Sequence, residues 1–323
     1  VSTRLRMLLL ATVAVLAAGC GQTPESAPMQ LPLDNLLPPG AKTITSAPDQ
    51  RGNGCGDPIA SLRPGAQPSP GNMPAGSAMA TIAKNGNLRV GVDQNAFMFG
   101  YRNPATGKIE GFDIDIAREI ARDIFGDPDR VELRPIVSTQ RLSALQNGEV
   151  DIVVQTLSPT CVRRKDIEFS TSYFQSDQRL LVANNSGIHS AADLAGKRVC
   201  GVNGTITLGP VLALPQKPTV IAMNNWLDCL TALQQAQVDA ASTDLPILYG
   251  LQQQDPNLQV VGEPLAVDTY AVGIGQKAKD LVRFVNGVLE RVRGDGTWQR
   301  LYNSNRLTVL GPAPAPPAPV YLG

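Results

Sequence analysis

Few side chains in this sequence can do chemistry, and their spacing argues against most kinds. There is one histidine, His189, and there are five cysteines. A single histidine cannot build a multi-histidine metal centre within one chain, and no HExxH pattern occurs. No GxSxG elbow offers a serine for His189 to activate. Gly196-Lys197 is followed by Arg198 and not by Ser or Thr, so the phosphate-cradling loop of nucleotide hydrolases is absent. No GxGxxG turn follows the first strand, and no two cysteines stand in CxxC spacing. These readings predict neither a metal nor a cofactor. Lys+Arg and Asp+Glu are balanced at 28 each, which removes the electrostatic case for nucleic acid.

The cysteines carry more information than the histidine. Arg4 and Arg6 precede an apolar run from Met7 to Ala18, too short for a comfortable transmembrane helix and of the length of a secretory signal. Ala17-Ala18-Gly19 then leads into Cys20, which resembles the lipobox of bacterial lipoproteins. That resemblance implies a signal peptide over 1–19, lipid on Cys20, and a position on the outer face of the cytoplasmic membrane. Cys55, Cys161, Cys200 and Cys229 remain. An even number outside the cytoplasm predicts disulfides over free thiols, and four cysteines allow three pairings. Cys200 and Cys229 are near each other within one predicted lobe, which favours that pair. Cys55 and Cys161 would then staple the N-terminal extension to the other lobe.

The body lies between two irregular ends. Residues 20–78 are rich in Pro, Gly, Ser and Ala and read as a tether, pinned in part at Cys55. The Pro-rich tail, 306–323, is expected to run extended and exposed over its last residues. Between them strands alternate with helices. Residues 88–93, 151–157, 179–183, 198–202, 219–223 and 239–244 read as strands. Asp113 to Phe125 reads as a helix with Ile114, Ala117, Ile120, Ala121 and Ile124 on one face. Trp226, Cys229, Leu230 and Leu233 mark the inward face of another helix, and residues 281–292 form a late one. This alternation predicts an α/β fold with parallel sheets. One unit recurs: Ser143 through Ile152 and Thr231 through Ala240 share a helix, a turn and a strand, displaced by 88 residues throughout. The repeat argues for two similarly built lobes. It makes Thr156 and Asp244 equivalent, each just past a strand end, where open α/β sheets bind ligands.

Four short motifs, in order and spacing, resemble the polar amino-acid binding proteins of ABC importers, solute-binding family 3. They are Gly111 through Ala117 (GFDIDIA), Thr160 and Arg163 before Ile167-Glu168-Phe169-Ser170, Asp193 through Val199 (DLAGKRV), and Asp295-Gly296-Thr297-Trp298. The resemblance runs from about residue 86 to about 303, with actinobacterial glutamate- and glutamine-type members most alike. It implies a two-lobed periplasmic-binding-protein-like (type II) fold with two crossover strands as hinge. The first lobe would be 79–177 plus 272–305 and the second 178–271, closing on a ligand.

It also implies a set of site residues. Arg163 matches the arginine that grips a ligand α-carboxylate, and Asp244 the aspartate that pairs with the α-ammonium. Thr156 and Ser158 match the strand-end shell. Gly204 and Thr205 match a second-lobe loop whose amides meet the carboxylate, with Ile206 in place of a hydroxyl residue common there. Asp93 matches the acidic residue after the first strand, and Phe97 is the expected aromatic cover. Gln155, with Gln94, Asn95 and Asn203, and with Arg102 and Arg179 in reach, suits a polar or acidic ligand side chain of the Glu, Asp, Gln or Asn class. The implied partners are an ABC permease or a membrane sensor. Residue by residue, a plainer reading stands beside each: Arg163-Arg164-Lys165 as a solvated basic run, Asp244 as a helix cap before Leu245-Pro246, Asp113 and Asp115 as helix-start charges. The alternative function is a dehydratase-type enzyme on the same fold, which would need a further acid or base in the cleft.

Overall fold

The computed structural model describes residues 37–48 and 51–323; the expected signal segment, Cys20 and the start of the tether lie outside the described residues. Two sheets organise the body. The first runs, in spatial order, Val131–Pro135, Leu88–Val92, Ile152–Val153, Gly273–Gly275 and Ile167–Phe169. Its first three strands are parallel, and Gly273–Gly275 runs antiparallel between Ile152–Val153 and Ile167–Phe169. The second runs Lys42–Ile44, Thr219–Met223, Arg198–Val202, Ala240–Asp244, Phe174–Ala183 and Leu258–Tyr270. Only its Thr219–Met223, Arg198–Val202 and Ala240–Asp244 strands are mutually parallel. The parallel sheets that the alternation predicts are therefore mixed, because the strands on which the chain enters each sheet from the other, Phe174–Ala183 and Gly273–Gly275, pair antiparallel with their neighbours.

Each sheet buries a helix stripe. In Phe112–Phe125 the residues Ile114, Ala117, Ile120, Ala121 and Ile124 are fully buried, the face that the 3.6-residue period marks out. The late helix, Lys279–Gly294, buries Leu281, Phe284, Val285, Val288, Leu289 and Val292 against the first sheet's side. Trp226–Gln234 packs Cys229 against the Arg198–Val202 strand, and the Cys200–Cys229 disulfide ties the two. The second disulfide is Cys55–Cys161.

The repeated unit is visible in atomic detail. Arg89 donates to both carboxylate oxygens of Asp151 and to the Gly148 carbonyl. Arg198 does the same to Asp239 and to the Ala236 carbonyl. Each aspartate also accepts its arginine's main-chain N–H, so each turn is locked to the parallel neighbour of the strand that follows it.

Two long antiparallel strands join the lobes. Residues 174–178 pair with 266–270, and the register slips between Val261 and Ala266 before pairing resumes further into the second sheet. Gly262-Glu263-Pro264 occupies that irregularity, which explains why no strand period is legible there. The base of this pair is clamped by aromatic rings: Phe174 stacks on Tyr270 at 5.7 Å and on Trp298 at 6.0 Å, and Trp298 Nε1 donates to the Tyr173 carbonyl.

Three sequence expectations meet a different local structure. The strand expected over 151–157 stops after Ile152–Val153, because Thr156 takes a left-handed φ of 40° and turns its N–H onto Asp113 Oδ2. The extension is held at more points than Cys55: Lys42–Ile44 forms an edge strand, and Ser61 and Asn286 bond to each other on the first lobe. The tail is extended but half-covered: Ser61 N donates to Val320, Leu322 N donates to Ser61, and the Tyr321 hydroxyl donates to Glu290.

The Cys200–Cys229 link closes a loop with a sequence separation of 29. Replacing both cysteines by alanine should lower unfolding free energy by about 3.6 kcal/mol through chain entropy alone, measured by urea titration.

Candidate functional site

Between the lobes lies a small enclosed cavity. From the first lobe it is lined by Ser138, Arg141, Thr156, Ser158 and Arg163, and from the second by residues 205–207, Trp226, Thr243, Asp244 and Ile247. Arginine on one side and aspartate on the other give it opposite charge across the lobe boundary.

Two guanidinium groups dominate the first-lobe wall. Arg163 donates from NH1 to the Ser158 carbonyl at 2.7 Å and from NH2 to the Gly204 carbonyl at 3.0 Å. Arg141 donates to Ser138, Gln155 and, at 2.8 Å, the same Gly204 carbonyl. Both are only 3% exposed. Burial lowers both pKa values: that of Arg141 falls to about 10, and that of Arg163 falls well below its usual value, helped by the positive charge of Arg141. Asp93, Asp244 and Asp268 act on these two cations from a distance, but every hydrogen bond given for either guanidinium goes to a neutral carbonyl, which leaves a ligand carboxylate as a suitable direct partner.

Asp244 faces them. It ends the Ala240–Asp244 strand and precedes Pro246 in the Leu245–Gln252 helix, yet its side chain makes no cap hydrogen bond. Oδ2 accepts from the Tyr270 hydroxyl at 2.8 Å; Oδ1 is buried with no partner among the described residues. Burial, reinforced by the negative charge of Asp268, pushes the carboxyl up to about 7. A buried acceptor left open beside a cavity is suited to a cationic donor.

The remaining expected residues divide. Thr156 and Ser158 reach the cavity, as the repeat's strand-end geometry requires, with Thr156 set by Asp113. That aspartate also accepts from Tyr173 at 2.6 Å, and burial raises it to about 7, so its role is to hold Thr156. Thr205 reaches the cavity while its hydroxyl bonds to the Val202 carbonyl and to Thr207 Oγ1. Gly204 meets the first lobe through its carbonyl, where amides were expected. Asp93 does not line the cavity: it accepts from the N–H groups of Gln94 and Asn95 and from Gln155 Nε2, closing a turn. Gln155 is occupied by that bond and by the Ile136 carbonyl. Phe97 stands elsewhere, edge-on to Tyr101 at 5.0 Å and against Gly250. The apolar cover comes from Trp226, Ile247 and Ile206. Gln94 and Arg102 bond to each other, and Arg179 turns to Gly262 and Asp177.

Arg141 is the residue that sequence reasoning missed. Its one signal is a lone charged residue opening the short helix Arg141–Gln146, two residues before the repeated unit. Trp226 was legible only as a core residue of its helix.

This geometry meets a family. Residues 88–305 match the bacterial extracellular solute-binding proteins, family 3. The chain belongs to that family. It is 35% identical over 225 residues to the ABC transporter glutamine-binding protein GlnH of Bacillus subtilis, covering 69% of this chain and 82% of that protein. It is 32% identical over 247 residues to the glutamate-binding protein GluB of Corynebacterium glutamicum, covering 73% and 83%. The fold superimposes on the solute receptor for L-cysteine of Neisseria gonorrhoeae with a TM-score of 0.68 at 25% identity, covering 72% of this chain and 95% of that one. These relatives are binding proteins, not enzymes. As a member of an extracellular family, the protein acts outside the cytoplasm.

Gly204 has φ 77°, and a Cβ there would stand 3.0 Å from the Thr139 main-chain nitrogen of the facing lobe. Gly204→Ala should therefore disfavour the closed arrangement, giving a larger radius of gyration by small-angle X-ray scattering while the far-ultraviolet circular dichroism is unchanged.

Proposed function

We propose that this protein binds a polar amino acid of the glutamate, aspartate, glutamine or asparagine class between two lobes, 79–177 with 272–305 and 178–271. It then presents the closed form to a membrane partner. The observation that carries the reading is the cavity's charge arrangement: two buried arginines on one lobe face the open Oδ1 of Asp244 on the other. Arg163, with Arg141 beside it, takes carboxylate; Asp244 takes the α-ammonium, with Thr156, Ser158, Gly204 and Thr205 shaping the shell. A zwitterion held this way binds both lobes at once. Only a ligand with such differential contact shifts the lobes towards closure.

The pair of guanidinium groups also bears on ligand class. Asp93 and Asp244 act on Arg141 and Asp268 acts on Arg163, so the charges around the cavity come near balance and the guanidinium pair suits acidic and amide side chains alike. The relatives named for glutamine and glutamate binding support the class as a whole. The permease of an ABC importer is the partner in keeping with the family, and a membrane sensor could read the same closed state. Lipid on Cys20 would hold the protein at the outer face of the cytoplasmic membrane, by two or more acyl chains where one would not suffice.

Removing one member of a buried charge pair costs 2 kcal/mol or more by general experience, so Arg163→Ala or Asp244→Asn should weaken glutamate binding by about a hundredfold in calorimetry. Unchanged affinity in either folded variant would contradict the site. The raised carboxyl of Asp244 adds a pH signature. A carboxyl raised in the folded state favours the protonated form, so ligand-free stability is greatest in acid and declines as pH rises towards about 7. Binding of an ammonium needs the ionised form. Glutamate binding near pH 7 should release a proton, seen as a buffer-dependent calorimetric enthalpy, and affinity should fall between pH 8 and pH 6. Asp244→Asn should abolish the proton release, whereas Asp113→Asn should not.

A further inference from the structure

The N-terminal extension makes a third link between the lobes. Its Lys42–Ile44 strand adds to the edge of the second sheet, opposite Val220, Ile221 and Ala222. Ile44 and Ala47 pack on that lobe's apolar core. Pro48 then lies in a groove with Thr205, Ile206 and Pro210, so the extension borders the same loop that lines the ligand cavity. Three residues on, Arg51 makes an ion pair of 2.8 Å with Asp268, whose side chain is 2% exposed on the crossover strands. The Val162 N–H donates to the Arg51 carbonyl, and Cys55 is bonded covalently to Cys161, two residues before Arg163.

From this path we infer that the extension is a strap that holds the two lobes in the closed arrangement. Between Pro48 on one lobe and Arg51 on the hinge the chain takes three steps, at most about 11 Å even if fully extended. The two anchors can stand no further apart than that. Separation of the lobes at this edge must strip Pro48 from the second lobe or break Arg51 from Asp268. The ion pair is the weaker anchor in geometry, since its arginine is 46% exposed, but its loss removes the only direct ion pair given for a buried carboxylate that otherwise has Arg163 as its cationic neighbour. The edge strand and the disulfide are the firm ends. The strap therefore favours closure before any ligand binds and slows reopening afterwards. Free tethering of the extension would do neither.

This inference rests on the proposed opening and closing of the lobes but not on the identity of the ligand, and its primary test needs none. The full mature chain, freed of bound amino acid by partial unfolding and dialysis, is measured by small-angle X-ray scattering. Arg51→Gln, and separately Cys55→Ser with Cys161→Ser, should give a larger radius of gyration than the parent, whereas Arg51→Lys should match it. Melting by circular dichroism identifies any variant that has not folded. Glutamate release, followed by stopped-flow tryptophan fluorescence, should be about fivefold faster in Arg51→Gln. If both the Arg51→Gln and the double cysteine variant keep the parent's dimensions, the strap does not hold the lobes and the inference fails. If glutamate does not bind but the dimensions change as expected, the strap stands and the ligand assignment falls.

Discussion

One main-chain carbonyl organises the cleft. Gly204 presents its oxygen from the second lobe to two buried arginines of the first, and both donate to it. A guanidinium is costly to bury, and each here is held by carbonyls that carry no formal charge. The hydrogen bonds given for the two guanidinium groups all go to neutral oxygens, with no carboxylate as a direct partner. The facing Asp244 is incomplete in the opposite sense, with one oxygen bonded to Tyr270 and the other open. A molecule carrying both a carboxylate and an ammonium resolves both deficits together, and only while the lobes are together. On the proposed reading, binding of such a molecule stabilises the closed lobes.

The scaffold serves that arrangement with paired devices. Tyr173 holds Asp113 and Tyr270 holds Asp244, one tyrosine at the foot of each crossover strand. Asp113 sets the turn that brings Thr156 to the cavity, while Asp244 lines the cavity itself. Burial raises both carboxyls to about 7, yet only one reaches the cavity. The same raised pKa thus marks a positioning residue in one lobe and the proposed ligand contact in the other, and geometry separates them.

The parts legible in the sequence are those written in local period or local repeat. The buried stripe of Phe112–Phe125 and the strands Leu88–Val92, Arg198–Val202, Thr219–Met223 and Ala240–Asp244 follow from hydrophobic pattern. The displaced repeat placed Thr156 and Asp244 at equivalent strand ends, and both line the cavity. The crossover strand Leu258–Tyr270 was illegible because Gly262 and Pro264 interrupt its period at the register shift. Arg141 was illegible because its significance arises only when a carbonyl from residue 204 arrives. Phe97 failed as a cover because its loop folds back on Tyr101, leaving Trp226 to supply the aromatic face. The extension reads as a tether by composition, and only long-range pairing with Val220–Ala222 residues of the second sheet shows where it attaches.

The most direct test of the account is calorimetric titration of the mature protein, stripped of bound ligand, with each of the twenty amino acids. Binding confined to glutamate, aspartate, glutamine and asparagine, with dissociation constants in the micromolar range or below, is the predicted result. Binding of arginine or lysine in preference to these, or of none of the twenty, would contradict it, because a cavity walled by two buried guanidinium groups would then have a different purpose.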